Sequence, residues 1–311
     1  MKALIQTTIT AILAVLLPAV NGRGQIINDW NNNEGIVSTL EEGTIDDETY
    51  AAQGIFSDWN KILDDFEHNQ LDDVELDKEI QNVRSNAAFE AIRTLRDRNG
   101  VELRLPEIID EDGTDLYLLT KEGMTIYMAL DAPVYLQDVD DDVAKWVRYY
   151  AHQKRAYTKK MFQRYTQWEP YLKDLFRRNG VPEELAELCL VESGCTYKAL
   201  SSAGALGMWQ IMPDTGRSFG MVINLMQDDR TDPVRSSNVA VRILKSNYAK
   251  IGEWTLAAAA YNCGSGRIAS KGKVGNQWSD VRPFLPKETQ QYIPCLLAIH
   301  YIWTYRDKLG F

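Results

Sequence analysis

The stretch from Val181 to Met212 constrains this chain most, because it carries an apolar helix that ends on a carboxylic acid. Pro182 stands near the first turn, and Glu183 and Glu184 suit the positive end of a helix dipole. Leu185, Leu188 and Cys189 fall at i, i+3 and i+4, so they share one face, and the next position on it is Glu192. Ala186, Leu190 and Val191 make the other sides apolar, which predicts a helix buried all round and stopped by Gly194. A carboxyl in the last turn of such a helix is disfavoured as an anion twice over, by desolvation and by the partial negative charge of the helix end. Both effects keep it protonated near neutral pH, the state a general acid needs. Taken alone, a buried Glu is more often a paired structural group than an acid. The residues downstream reverse that balance.

The first 22 residues hold one Lys, an apolar run, Pro18 and then small residues, and read as a secretory signal cleaved near Gly22. An uncleaved membrane anchor is the alternative, although the run is borderline in length. No Cys follows it, so no lipobox and no lipid anchor are expected. An exported protein of the periplasm or cell envelope follows. Charge is divided unevenly: residues 24–145 hold 30 Asp/Glu against 9 Lys/Arg, net −21, and residues 146–311 hold 14 against 23, net +9. The basic half suits an anionic polymer. Nucleic acid is not expected, because no compact basic run is present. Four cysteines, at 189, 195, 263 and 295, permit two disulfides in an exported chain. If the chain were helical throughout, Cys189 and Cys195 would be too far apart to bridge. Neither the cysteines nor the three scattered His match a zinc signature, so no metal and no cofactor are expected.

Four regions follow: a signal peptide at 1–22, a linker or loosely ordered segment at 23–54, an acidic and mostly helical region of unknown role at 55–138, and a helical catalytic domain at 139–311. In the third, Trp59, Ile62, Leu63 and Phe66 have helical spacing, residues 69–73 look like a break, and Ile80 to Leu95 reads as a second helix. The runs LYLLT and TIYMAL, between Val101 and Leu136, suggest a small hairpin. This acidic region offers a surface for a cell-envelope protein partner, or an inhibitory module over a cationic groove. In the fourth, Val143, Trp146, Val147 and Tyr150 form a core stripe that Met161, Tyr165, Trp168 and Leu172 continue. Asp232 caps a helix opened by Pro233, with Val241, Leu244, Tyr248 and Ile251 on one face and Gly252 as its stop. A short helix with four consecutive alanines runs from Trp254 to Tyr261, residues 270–285 read as an irregular loop, and a last helix spans Lys287 to about Lys308.

Four polar signatures stand in order along this second half. They are Glu192-Ser193-Gly194; Ser201 with the run Ala203 to Pro213; Ala260-Tyr261-Asn262-Cys263-Gly264; and Glu288-Thr289 followed by Tyr292. With Thr215-Gly216-Arg217, Asp229-Arg230, Asp232-Pro233 and Gly252-x-Trp254, they resemble the lytic transglycosylases of the soluble-lytic-transglycosylase (SLT) type, glycoside hydrolase family 23. The resemblance begins near Val139 and implies a mainly α, lysozyme-like fold with a sugar groove beside the catalytic Glu. The peptidoglycan-binding repeats that some of these enzymes carry have no counterpart here, and Met208 stands where the family usually has Leu or Ile.

Carried over position by position, Glu192 is the catalytic acid/base. Ser193, Ser201, Gln210, Met212, Tyr261, Asn262, Glu288 and Tyr292 are substrate-binding, with Trp209 and Tyr292 as candidate groove walls. The activity implied is non-hydrolytic cleavage of the MurNAc–GlcNAc β-1,4 bond of peptidoglycan strands, leaving 1,6-anhydro-MurNAc ends. Two other readings stay open: a lysozyme-like hydrolase using Glu192 with Glu288 activating water, and a catalytically silent glycan-binding protein.

Overall fold

The computed structural model describes residues 59–68, 78, 92–96, 102–106, 114–133, 139–271 and 275–311. The expected signal peptide, the 23–54 segment and the break at 69–73 lie outside them. The described residues fall into two units, one within Ile92–Leu105 and the other within Asp46–Ala91 and Pro106–Phe311. In the first, β1 (Ile92–Arg96) and β2 (Glu102–Pro106) form a two-stranded sheet across the Asn99-Gly100 turn signal. The helix expected over Ile80 to Leu95 is therefore replaced by a strand at its end, and residues 80–91 lie outside the described ones.

The second unit is mainly helical, as expected. It contains α1 (Trp59–His68), α2 (Lys121–Asp131), α3 (Asp141–Arg148), α4 (Arg155–Arg178), α5 (Leu188–Ser193), α6 (Pro213–Ser218), α7 (Pro233–Ile251), α8 (Trp254–Cys263), α9 (Ser265–Ala269), α10 (Trp278–Val281) and α11 (Lys287–Thr304). Among the described residues no helix is long and apolar enough to cross a membrane.

The hairpin expected from LYLLT and TIYMAL does not form. Leu116–Leu119 is a 3-10 turn and the following residues are α2. Thr120 caps α2, its hydroxyl accepting from the Gly123 amide at 3.1 Å. Met124, Tyr127 and Met128 fall at i, i+3 and i+4 and are buried, so helical spacing outweighed β-prone composition. This segment is fastened to the C-terminal helix: the hydroxyls of Tyr301 and Tyr305 donate to the carbonyls of Leu118 and Tyr127.

The stripe on α3 is core. Trp146 is fully buried, stacks on Phe66 of α1 at 4.0 Å and donates its indole N–H to Gln291 of α11. A π-helical turn, Tyr149–Gln153, joins α3 to α4. On α4, Met161, Tyr165 and Leu172 are buried and Trp168 is half-buried. The caps of α7 form as expected, Asp232 accepting from the Arg235 amide and Gly252 turning left-handed at φ 85°. On that helix Val241 and Leu244 are core, but Tyr248 sits at the surface, stacked on Trp254 at 4.0 Å. Thr255 to Ala260 of α8 are all buried, and the small side chains let α8 pack against α7, α9 and α11. The loop expected at 270–285 instead contains α10, opened by a capping box between Gln277 and Asp280.

Two polar ties hold α11 in place. His300 pairs with Glu187 at 2.8 Å in the interior. Burial opposes the imidazolium there, but the Glu187 charge and hydrogen bond outweigh it and raise the His300 pKa. Arg282, just ahead of α11, pairs with Asp140 and Asp142 at the start of α3, while Gln291 also donates to Asp142 at 3.0 Å. Arg282→Leu removes the cation from both carboxylates, leaving Asp142 the Gln291 amide and Asp140 the Val143 amide, and loosens the α3–α11 corner. Because Asp140 is partly solvated, the expected loss is modest, about 1–2 kcal/mol, read as a lower urea midpoint at unchanged slope.

Candidate active site

The Glu192 helix starts differently from the expectation. Pro182 precedes a 3-10 turn, Glu183–Glu187, and only Leu188–Ser193 is α-helical. The apolar enclosure is as expected: Leu185, Ala186, Leu188 and Cys189 have no exposed surface and Leu190 and Val191 almost none. Gly194 ends the helix at φ 60°, and a Cβ there would meet the Tyr157 hydroxyl at 2.3 Å, so conformation and space both call for glycine. The Gly194 carbonyl accepts from Arg164 Nε at 2.8 Å.

Glu192 is 7% exposed and lines an open cavity of about 310 Å³. Burial pushes its pKa up to about 8. The Tyr292 hydroxyl, donating to Oε1 at 2.5 Å, pulls it down, and the Glu288 charge pushes it up. Desolvation therefore wins. The second expected contribution, the helix end, is weak, because α5 has six residues and a guanidinium sits on its last turn. With Oε1 accepting from Tyr292, the acid proton belongs on Oε2.

Ser201, Gln210, Met212, Tyr261, Asn262 and Glu288 line the same cavity as Glu192, with Ser202, Ala203, Ala205, Ile211, Thr215 and Ile243. The Ser201 oxygen accepts from the Ala205 amide at 2.9 Å, which leaves its hydrogen to donate. Tyr261 is the opposite case. Its hydroxyl donates to the Trp209 carbonyl at 2.9 Å, so toward the cavity it can only accept. Asn262 donates to Glu288 Oε1 at 2.7 Å and accepts from Thr289 at 2.8 Å, which fixes the second carboxylate to the end of α8. Gln210, at φ 45°, donates to the carbonyls of Ala199 and Gly207 and so ties down the loop it stands on. Met212 is 42% exposed at the rim.

Two expected substrate-binding residues lie outside the lining. Ser193 is 3% exposed, with its hydroxyl donating to Met208 O at 2.8 Å and accepting from the Thr196 amide, so it closes the turn behind Glu192. Tyr292 is fully buried and acts on Glu192 instead of forming a wall. Trp209 is not a wall either. It is buried, stacked on Phe176 at 5.5 Å and donating to Ser237 at 2.8 Å.

Sequence reasoning cited Asp229-Arg230 as part of the resemblance but gave Arg230 no role. It is 6% exposed, pairs with Asp228 at 2.7 Å, and sends Nη1 to the carbonyls of Gly204 and Ile211. A Cβ on Gly207 would meet the Arg230 carbonyl at 1.9 Å, so the Ser201–Met212 loop is seated directly on this residue. An Arg following two acids was the available signal. Among the described residues no group of three or more His, Cys, Asp or Glu is placed to hold a metal ion.

A family model covers Glu192, Ser201, Gln210, Met212, Tyr261 and Asn262 of this site and stops short of Glu288 and Tyr292. Residues 171–280, from the end of α4 through α10, match the sequence model of the Transglycosylase SLT domain. The chain is 38% identical over 153 residues to the membrane-bound lytic murein transglycosylase D of Escherichia coli, covering 46% of this chain and 33% of that protein. It is 34% identical over 105 residues to an Alteromonas protein named for tributyltin chloride resistance, covering 32% of this chain and 50% of that one. The chain thus spans between a third and a half of the length of these relatives. Among solved structures, an inactive mutant of the lytic transglycosylase Slt from Pseudomonas aeruginosa aligns at 18% identity and a TM-score of 0.38, covering 63% of this chain and 38% of that one.

Ionising Glu192 costs the folded state more than the unfolded one, so the fold keeps a proton that the unfolded chain releases. Wild-type stability is therefore expected to fall as pH rises from 4.5 to about 8 and to level off above that. Glu192→Gln removes this component of the fall. Tyr292→Phe, by deleting the donor that favours the anion, extends the decline to higher pH. Urea midpoints of the three proteins across this range check it.

Proposed function

We propose that this SLT-domain chain is a peptidoglycan lytic transglycosylase of the cell envelope, and that Glu192 is its acid and then its base. One observation carries the reading: a carboxyl whose pKa is about 8 lines an open cavity with polar side chains facing it. The similarity to a lytic murein transglycosylase supports the choice of substrate.

In the proposed reaction Glu192 Oε2 protonates the oxygen that links N-acetylmuramic acid to N-acetylglucosamine, and the glycosidic bond breaks. The substrate's 2-acetamido oxygen attacks the anomeric carbon, as in substrate-assisted glycosidases. The Glu192 carboxylate, largely desolvated, is a stronger base than an ordinary carboxylate. It takes the proton of the muramyl 6-hydroxyl, which restores the acid, while the 6-oxygen attacks the anomeric carbon and displaces the acetamido oxygen to close the 1,6-anhydro ring. No water is consumed. Tyr261, able only to accept toward the cavity, suits the acetamido N–H, and Ser201 suits a sugar oxygen. Tyr292 stabilises the anion between the two proton transfers through its short hydrogen bond.

A hydrolase reading is favoured by one feature, the presence of Glu288 in the same cavity as a second carboxylate. Its attachment to Asn262 suits a supporting role better than a mobile base. Mass spectrometry of fragments released from purified peptidoglycan separates the two. Anhydro ends, lighter than hydrolysed ends by one water molecule, are expected, and hydrolysed ends alone contradict the proposal. Glu192→Gln is expected to slow release by about 10³-fold. Wild-type activity is expected to decline as pH rises through about 8, where the acid loses its proton.

A further inference from the structure

We infer that Cys189 and Cys195 form a disulfide that closes a short loop with Glu192 at its midpoint. Along a continuous helix these residues would stand about 9 Å apart. The helix, however, ends at Ser193, and Gly194 and Cys195 are both left-handed, at φ 60° and 62°. Two such residues in succession wrap the chain back on itself, and the Cys195 amide donates to the Cys189 carbonyl at 2.9 Å. Bond lengths then keep the two Cα atoms within about 6.8 Å of each other, the outer limit of a disulfide's span.

Three further observations agree. Both side chains are buried, 0% and 2% exposed, and Cys195 acts on the Cys189 thiol, helping burial to raise its pKa. A left-handed backbone is uncommon for a residue other than glycine, and a covalent tie to Cys189 is a constraint that would hold Cys195 in it. The other two cysteines are engaged elsewhere, Cys295 with the Tyr150 hydroxyl at 3.7 Å and Cys263 with the Gly264 carbonyl at 3.9 Å.

The bond forms by exchange with an oxidised thiol–disulfide carrier. One cysteine thiolate attacks a carrier sulfur, giving a mixed disulfide and releasing the carrier's other thiol. The second cysteine thiolate then displaces the carrier, which leaves fully reduced with both electrons. Burial of the pair places this step during folding, and afterwards shields the bond from reductants.

The inference stands apart from the enzymatic proposal, since it needs no particular reaction at Glu192. The test uses the full-length protein isolated from an oxidising compartment, denatured and alkylated without reductant, then digested with trypsin. Both cysteines fall in the peptide spanning residues 179–198. That peptide is expected unalkylated and lighter by the pair of lost hydrogens, and cleavage after Glu192 is expected to leave its halves joined. A doubly alkylated peptide, or a link from either cysteine to Cys263 or Cys295, overturns the inference. In a second measurement, the Cys189→Ala/Cys195→Ala variant is expected to melt about 5 °C below wild type. Wild type refolded with reductant is expected to lose that advantage. Equal melting temperatures before reduction contradict the pairing.

Discussion

Everything at the Glu192 site depends on placing one carboxyl group where water cannot reach most of it. The side chain leaves a six-residue helix whose neighbours on every side are apolar, and it meets one strong donor, the Tyr292 hydroxyl. Burial and that hydrogen bond act in opposite directions on the proton. The balance leaves an acid that keeps its hydrogen at neutral pH, yet has a partner able to steady the anion once the hydrogen is given away. A carboxylate in open solvent would lack the first property, and a carboxyl in a wholly apolar pocket would lack the second.

The rest of the second unit can be understood as the frame for that contact. Tyr292 lies on α11, so the position of α11 sets the length of its bond to Glu192. The helix is fixed by the Arg282 ion pairs at its start, by His300 and Glu187 within it, and by Tyr301 and Tyr305 reaching the segment around Leu118 and Tyr127. On the other side, buried Arg230 seats the loop bearing Ser201 and Gln210, and the Trp209 carbonyl on that loop takes the Tyr261 proton. Tyr261 and the loop bearing Ser201 and Gln210 are thus held from behind the cavity wall, while Asn262 and Glu288 hold each other within it.

Much of this was legible in the sequence, for reasons that are local. The enclosure of Glu192 followed from apolar residues at helical spacing, and the limits of α7 from Asp232, Pro233 and Gly252, whose cap chemistry acts within a turn. The misreadings are of two kinds. In LYLLT and TIYMAL, β-prone composition hid the spacing of Met124, Tyr127 and Met128 and the Thr120 cap. At Ser193, Trp209 and Tyr292 the residues were recognised but their surroundings were not, because those come from segments distant in sequence: Met208, Ser237 and Glu192 itself. Cys195 belongs with these. Its approach to Cys189 depends on a left-handed conformation that no rule of composition assigns to cysteine.

The claim beneath all of this is that Glu192 is a neutral acid at physiological pH. Labelling glutamate side-chain carboxyl carbons with ¹³C and following the Glu192 resonance against pH, identified by its loss in Glu192→Gln, tests it directly. The account predicts a midpoint near 8. A midpoint at or below the ordinary 4.5 would mean that the group is already ionised at neutrality and cannot donate the proton assigned to it.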